Sequence, residues 1–221
     1  VLLHHWRMHG ADCSAHSLSL LEIWRSMLAF AVNEVDSTMD AMKIVHVETG
    51  RHFYGGAQQV IWLMQGLSRQ GVHSMLVCSA GTVIETVARK VGLPLVAISC
   101  RGDADLVFPL RLSRVLRREK PDLVHCHSRR GGDLLAGWGA LMSRTPAIIS
   151  RRVDSFEAPL VAALRYRPFN KVVAISDNIG AVLRKSRVSS QKIEVVRSAV
   201  DADAIKLNAT VGGIDIFASG A

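Results

Sequence analysis

"MKIVHVETGRHFYGGAQQVIWLMQGLSRQG", residues 42–71, decides the fold. An apolar run at 44–47 ends in a glycine-bearing segment, and an amphipathic stretch follows. Val60, Ile61, Leu63, Met64 and Leu67 recur at helical spacing and give that stretch one apolar face. The order is strand, glycine loop, helix, and the loop is where a ligand would sit.

The same unit repeats downstream. Short apolar runs at 75–78, 95–98, 123–126, 147–149, 172–175 and 193–196 predict strands. Most are continuously apolar, as strands covered on both faces are. Helices are predicted between them at 57–69, 82–91, 106–118, 133–142, 159–166 and 178–187. Alternating strand and helix predicts right-handed βαβ units in an α/β, Rossmann-like, doubly wound parallel sheet. Residues 1–41 do not join the rhythm and are expected to be a poorly structured extension, with Met39 and Met42 as candidate starts. The stretch 18–32 carries Glu22 and Arg25 and reads as an amphipathic helix rather than a membrane anchor.

The chain has 221 residues, of which 49% are hydrophobic, so a folded core is expected. Its net charge of +8 favours anionic partners. Nucleic acid is disfavoured, because the basic residues lack interleaved aromatics for base stacking. Four cysteines form no CxxC pair, and Cys78 and Cys126 lie in apolar runs, which suits reduced, buried thiols.

A glycine segment between first strand and first helix suits phosphate, since backbone N–H groups approach closely and the helix dipole favours an anion. "GRHFYGGA", residues 50–57, has P-loop spacing, but Gly56 and Ala57 stand where lysine and serine or threonine are required. The dinucleotide fingerprint also fails on the spacing of Gly50, Gly55 and Gly56, which disfavours a dehydrogenase fragment. A plain strand-to-helix turn accounts for the same residues. Later strands end in polar groups as well: His125, Cys126, His127 and two arginines; Arg151, Arg152 and Asp154; Ser176 and Asp177. These gather at the carboxyl edge, where open α/β sheets bind ligands.

In order, "MKIVHVETG", "GGAQQ", "PDLVHCHSRRGGD", "SRRVD", "VVAIS" and "VVRSAVD" resemble the N-terminal domain of family 4 glycosyltransferases, over residues 42–204. The resemblance implies a GT-B enzyme of two Rossmann-like domains. The first receives the acceptor, and the second holds the nucleotide sugar. It also implies retaining hexosyl transfer to a glycan or lipid-linked acceptor, as in cell-envelope polysaccharide assembly. The location would be cytoplasmic, with contact to anionic membrane at its inner face. "RSAVD", residues 197–201, departs from a family linker that usually reads like "PNGVD", and beyond Ala204 the resemblance ends. Residues 205–221 are expected to be a tail in place of the second domain, and the chain is expected to be inactive alone.

On that resemblance, Gly55, Gly56 and Ala57 meet the donor diphosphate, and His127 is the catalytic-site histidine near the transferred sugar. Ser128, Arg129, Arg130, Arg151, Arg152, Asp154 and Ser176 are the expected acceptor or phosphate contacts. Each has a plainer reading: a strand-end histidine, solvated arginines, a helix N-cap at Ser176. His125 shares a strand face with His127, but no Cys/His set of ligand spacing accompanies them, so no metal or other cofactor is expected. The two "DAD" runs, 103–105 and 201–203, read as loop and linker. Arg111, Arg114 and Arg118 share a helix face, fit for anionic lipid or for solvent. The alternative to a transferase is a non-catalytic module that binds a nucleotide or anionic glycan.

Overall fold

The computed structural model describes residues 42–127 and 132–196. The expectations for residues 1–41, for 197–221 with the second "DAD" run, and for Ser128, Arg129 and Arg130 lie outside the described residues.

Seven strands alternate with six helices. They are β1 (Lys43–Glu48), α1 (Gly55–Ser68), β2 (His73–Ser79), α2 (Val83–Lys90), β3 (Leu95–Ile98), α3 (Phe108–Glu119) and β4 (Leu123–Cys126). Then follow α4 (Gly132–Ser143), β5 (Ala147–Arg151), α5 (Pro159–Tyr166), β6 (Lys171–Ala174), α6 (Asp177–Lys185) and β7 (Ile193–Val195). The sheet order is β3-β2-β1-β4-β5-β6-β7 and every pairing is parallel. The doubly wound sheet expected from the sequence is therefore present. The chain runs outward from β1 in one direction, then crosses back to β4 and runs out in the other. β1 and β4 thus lie side by side at the point where strand order reverses, with Val45 opposite Val124 and His46 opposite His125. Crevices that bind ligands open at the carboxyl ends of such a pair.

Side chains alternate across each strand. Val45, Val47, Val124 and Cys126 face a core with Phe108, Leu112 and Leu116 of α3 and Leu135, Ala136 and Ala140 of α4. Ile44 and Leu123 face the opposite layer with Leu67 of α1. There, Ala57, Val60, Ile61 and Met64 of α1 cover Leu76 and Cys78 of β2. Burying these apolar faces at roughly 25 cal/mol per Å² drives the packing. Close approach in the first layer depends on α4, where a Cβ on Gly137 would lie 2.7 Å from the Phe169 ring.

Most boundaries differ from the sequence reading by one or two residues, as expected at helix and strand ends. One difference matters. Gly55 and Gly56 were expected in a loop, and they are instead the first two residues of α1. Nothing forbids this: neither needs positive φ, and Tyr54 supplies the extended N-cap backbone. Cys78 and Cys126 are buried free thiols, and burial pushes Cys78 up to about 11. Among the described residues no helix is long and apolar enough to cross a membrane.

Candidate functional site

Along the α1 side of the β1–β4 pair, the residue types change from floor to rim. Ile44 and Leu123 are apolar, His46 and His125 come next, and Glu48 and His127 lie at the carboxyl edge. All six are buried. His127 continues the ladder beyond β4, its backbone N–H donating to the Val47 carbonyl at 2.9 Å. Three imidazoles therefore crowd one spot. The His125 and His127 ring centres are 3.7 Å apart, and His46 Nδ1 lies 3.0 Å from His127 Nε2. On the far side, His125 Nε2 is 2.7 Å from Ser150 Oγ of β5.

None of the three holds a proton charge at neutral pH. Burial lowers His46 to about 3. It also drives His125 and His127 well below the usual range, with the neighbouring imidazoles and Arg152 adding to it.

Arg152 closes the rim. One guanidinium nitrogen, Nη2, lies 3.2 Å from His127 Nδ1, and Nη1 donates to Gln59 Oε1 on α1. Its Nε is buried without an acceptor. Desolvation lowers its pKa, and the nearby Glu48 carboxylate partly offsets that. No salt bridge reaches Arg152 among the described residues, so this half-buried cation has nitrogen and amide neighbours but no ion-paired carboxylate. The Glu48 carboxylate is drawn elsewhere too: its Oε1 accepts from Gly50 N at 2.8 Å. A Cβ on Gly50 would stand 2.9 Å from that oxygen, so a larger residue there would push the Glu48 carboxylate aside.

The first turn of α1 completes the rim. The N–H groups of Gly55, Gly56 and Ala57 precede the first intrahelical bond, which runs from Gln58 N to Tyr54 O. Among the described residues no side chain caps them, and no acidic residue sits in that turn. A Cβ on Gly55 would meet nothing within 4 Å, and one on Gly56 would meet only Arg152, at 3.6 Å. Packing within the chain therefore does not require glycine at either place. Open space beside three free N–H groups and a guanidinium suits an anion.

The other expected site residues are placed differently. Arg151 ends β5 pointing to the opposite layer. There it donates to Val153 O and Ser155 O and pairs with Glu157 at 3.2 Å. Strand alternation separates it from Arg152, so the two adjacent arginines do not share a pocket. Asp154 is exposed. Ser176 caps α6, its Oγ accepting from Ile179 N at 3.3 Å. Ala57 packs its methyl in the α1 core, leaving only its backbone to the rim. In the basic face of α3, Arg111 is tied to Asp105 and the Ser99 carbonyl, so it does not act with Arg114 and Arg118 as a free stripe.

His46, Glu48 and Gln59 are the members that the sequence reading missed. The first two sit in the quoted stretch at period two on one strand face, and that spacing was the available signal. His46 also changes the metal question. A third imidazole is present after all, and the three form the one His/Cys/Asp/Glu group among the described residues spaced for a metal. The surroundings argue against that use. A ligating imidazole normally donates its second N–H to an acceptor. His127 Nδ1 instead faces a guanidinium, which can only donate.

A family model described as Glycosyltransferase Family 4 matches residues 54–204. Among solved structures, a glycosyltransferase from Rickettsia africae ESF-5 superposes with a TM-score of 0.62 at 15% identity, over 73% of this chain and 44% of that one. HepE of Anabaena, in complex with UDP and glucose, superposes with a TM-score of 0.58 at 13% identity, over 77% and 50%. The lipopolysaccharide outer core galactosyltransferase WaaB gives 0.52 at 16%, over 72% and 46%. At these identities the likeness is one of fold. The chain spans about half the length of each. No curated protein sequence matches it closely.

Proposed function

The chain belongs to glycosyltransferase family 4, and from that premise we propose that its described domain is the acceptor-side wall of a nucleotide-sugar-dependent glycosyltransferase. The observation that carries the reading is Arg152. It lies over the first turn of α1, has no ion pair among the described residues, and touches His127 at the strand-order reversal. A sugar nucleotide offers a diphosphate for such a rim. A departing diphosphate accumulates charge as the glycosidic bond breaks, and preorganised N–H groups and a cation stabilise that charge most where water is excluded. Gly55, Gly56 and Ala57 supply the N–H groups, and Arg152 supplies the cation. His127 stands beside them to hold a hydroxyl of the transferred sugar. Ser128, Arg129 and Arg130, next in sequence after His127, are the proposed acceptor contacts. We infer retaining transfer of a hexosyl group to a glycan or lipid-linked acceptor of the cell envelope, at the inner face of a membrane.

One wall does not make this site. Reacting atoms must be held about 3–3.5 Å apart, and a diphosphate open to water loses most of its stabilisation. In this reading a second domain that clamps the nucleotide supplies the other side, and residues 42–196 by themselves are expected to transfer no sugar. Exposed Phe156, Leu160, Val161 and Leu164, in and before α5, offer apolar area to such a partner or to lipid. The test assays the polypeptide and a fusion to a family 4 C-terminal domain, with a panel of nucleotide sugars and glycan or lipid-linked acceptors. Turnover in the fusion that falls on Arg152→Gln supports the reading. Equal turnover by the short polypeptide overturns the two-wall argument. Diphosphate binding without any turnover in the fusion would favour a non-catalytic nucleotide-binding module.

A further inference from the structure

The hydrogen-bond chain through Arg152, His127 and His46 has only one consistent direction. A guanidinium has donors and no acceptor. His127 Nδ1, 3.2 Å from Arg152 Nη2, must therefore be the unprotonated nitrogen. A neutral imidazole carries one proton, so His127 carries it on Nε2. That nitrogen is 3.0 Å from His46 Nδ1, which must then accept. The His46 proton is left on Nε2, a buried position with no protein acceptor. Both rings are almost fully buried, so the charged forms that would blur this logic are suppressed. At His125 Nε2 the hydroxyl of Ser150 serves as either donor or acceptor.

We propose that His46 is a positioning residue for His127: by accepting from Nε2–H, it fixes the tautomer and ring orientation that leave the Nδ1 lone pair facing the rim. At rest that lone pair is covered by Arg152. When Arg152 turns to an anion, Nδ1 is exposed as an acceptor and not as a donor. It then takes a group that brings its own proton, such as a sugar hydroxyl. It gives no hydrogen bond to a carboxylate or phosphate oxygen, which is left to Arg152 and the α1 N–H groups. Hydroxyl and anion are thus assigned to different places on one rim. The use of the lone pair rests on the transferase reading above; the tautomer does not.

The orphaned His46 Nε2–H is part of the same account. A buried donor without a partner is costly, so an ordered water is expected to accept from it.

The test reads the tautomers directly, in the full 221-residue chain labelled with ¹⁵N histidine. Long-range ¹H–¹⁵N spectra separate protonated from unprotonated ring nitrogens, and loss of signals in His127→Gln identifies that ring. The expected native spectrum shows His127 as a single Nε2–H form at neutral pH. His46→Gln keeps an acceptor and should retain it. His46→Phe removes the acceptor and should give an averaged mixture of both tautomers. An Nδ1–H or averaged His127 in the native chain overturns the proposal, and so does an unchanged spectrum in His46→Phe. If His46→Phe does not fold, the native chain and His46→Gln still decide. A response of all three imidazoles to one equivalent of zinc would show a metal site in place of the relay. Failure of the transferase reading would appear in turnover and leave these spectra untouched.

Discussion

Arg151 and Arg152 leave the same strand end on opposite faces of the sheet, and they differ in what surrounds the charge. Arg151 is enclosed by its own loop: two carbonyls, the Ser155 hydroxyl and the Glu157 carboxylate take its donors. Arg165 shares the same carboxylate at 3.1 Å. Arg152 meets an amide oxygen, a neutral imidazole and an uncapped helix start. One guanidinium is spent on holding the β5–α5 loop, and the other has no ion pair among the described residues. Sequence proximity and residue type are therefore poor guides to role; the face of the strand decides.

The largest expected difference between the two sides is their response to acid. The imidazoles behind Arg152 are held neutral, with folded-state pKa values below the unfolded 6.5. Their contribution is complete above that value and is lost as pH falls, because the unfolded chain takes up protons that the folded chain refuses. Between pH 7 and pH 5 His46, held near 3, removes about 2 kcal/mol of stability, and His125 and His127 add to the loss in the same direction. Urea midpoints across this range should fall steeply, and His46→Phe should flatten the slope by removing one of the three groups. An equal slope in that variant would mean that His46 is charged or exposed.

Next is Arg151→Gln, which leaves Glu157 buried with a weaker set of partners. A loss of about 3 kcal/mol is expected in chemical denaturation. Binding of diphosphate by whatever remains folded should be unaffected. Arg152→Gln is the counterpart. It removes a desolvated cation with no ion pair, so stability should change by less than about 1 kcal/mol in either direction. A loss as large as that of Arg151 would show that Arg152 is structural after all.

The smallest expected effect on stability is at Gly55. Alanine there finds open space in a helical backbone, so stability should rise by up to about 0.5–1 kcal/mol. The same substitution should weaken diphosphate binding, because the methyl group stands beside the free N–H groups. A Gly55→Ala protein that melts lower would place a packing role there.

The strands and helices were legible because burial on both faces writes continuous apolar runs, as at 44–47 and 123–126. The cluster at the edge was only half legible. His127 and Arg152 stood at strand ends, but their partners His46 and Gln59 come from β1 and α1, far away in the chain. Only the parallel register, with His46 opposite His125, brings them together. Gly55 and Gly56 were read as a loop, as the glycine segment between the first strand and the first helix. Their place in the first turn shows that a helix start tolerates them.

The decisive measurement is a titration of ¹⁵N-labelled chain with uridine diphosphate, read at the amides of Gly55, Gly56 and Ala57 and repeated with Arg152→Gln. A charge-assisted hydrogen bond contributes about 1.5–3 kcal/mol, so the variant should bind roughly 10–100-fold more weakly. In the native chain the three amides should shift together, and Arg152 Nε should gain a partner. Shifts confined to other parts of the surface, or equal affinity in native chain and Arg152→Gln, would contradict a diphosphate site at this rim.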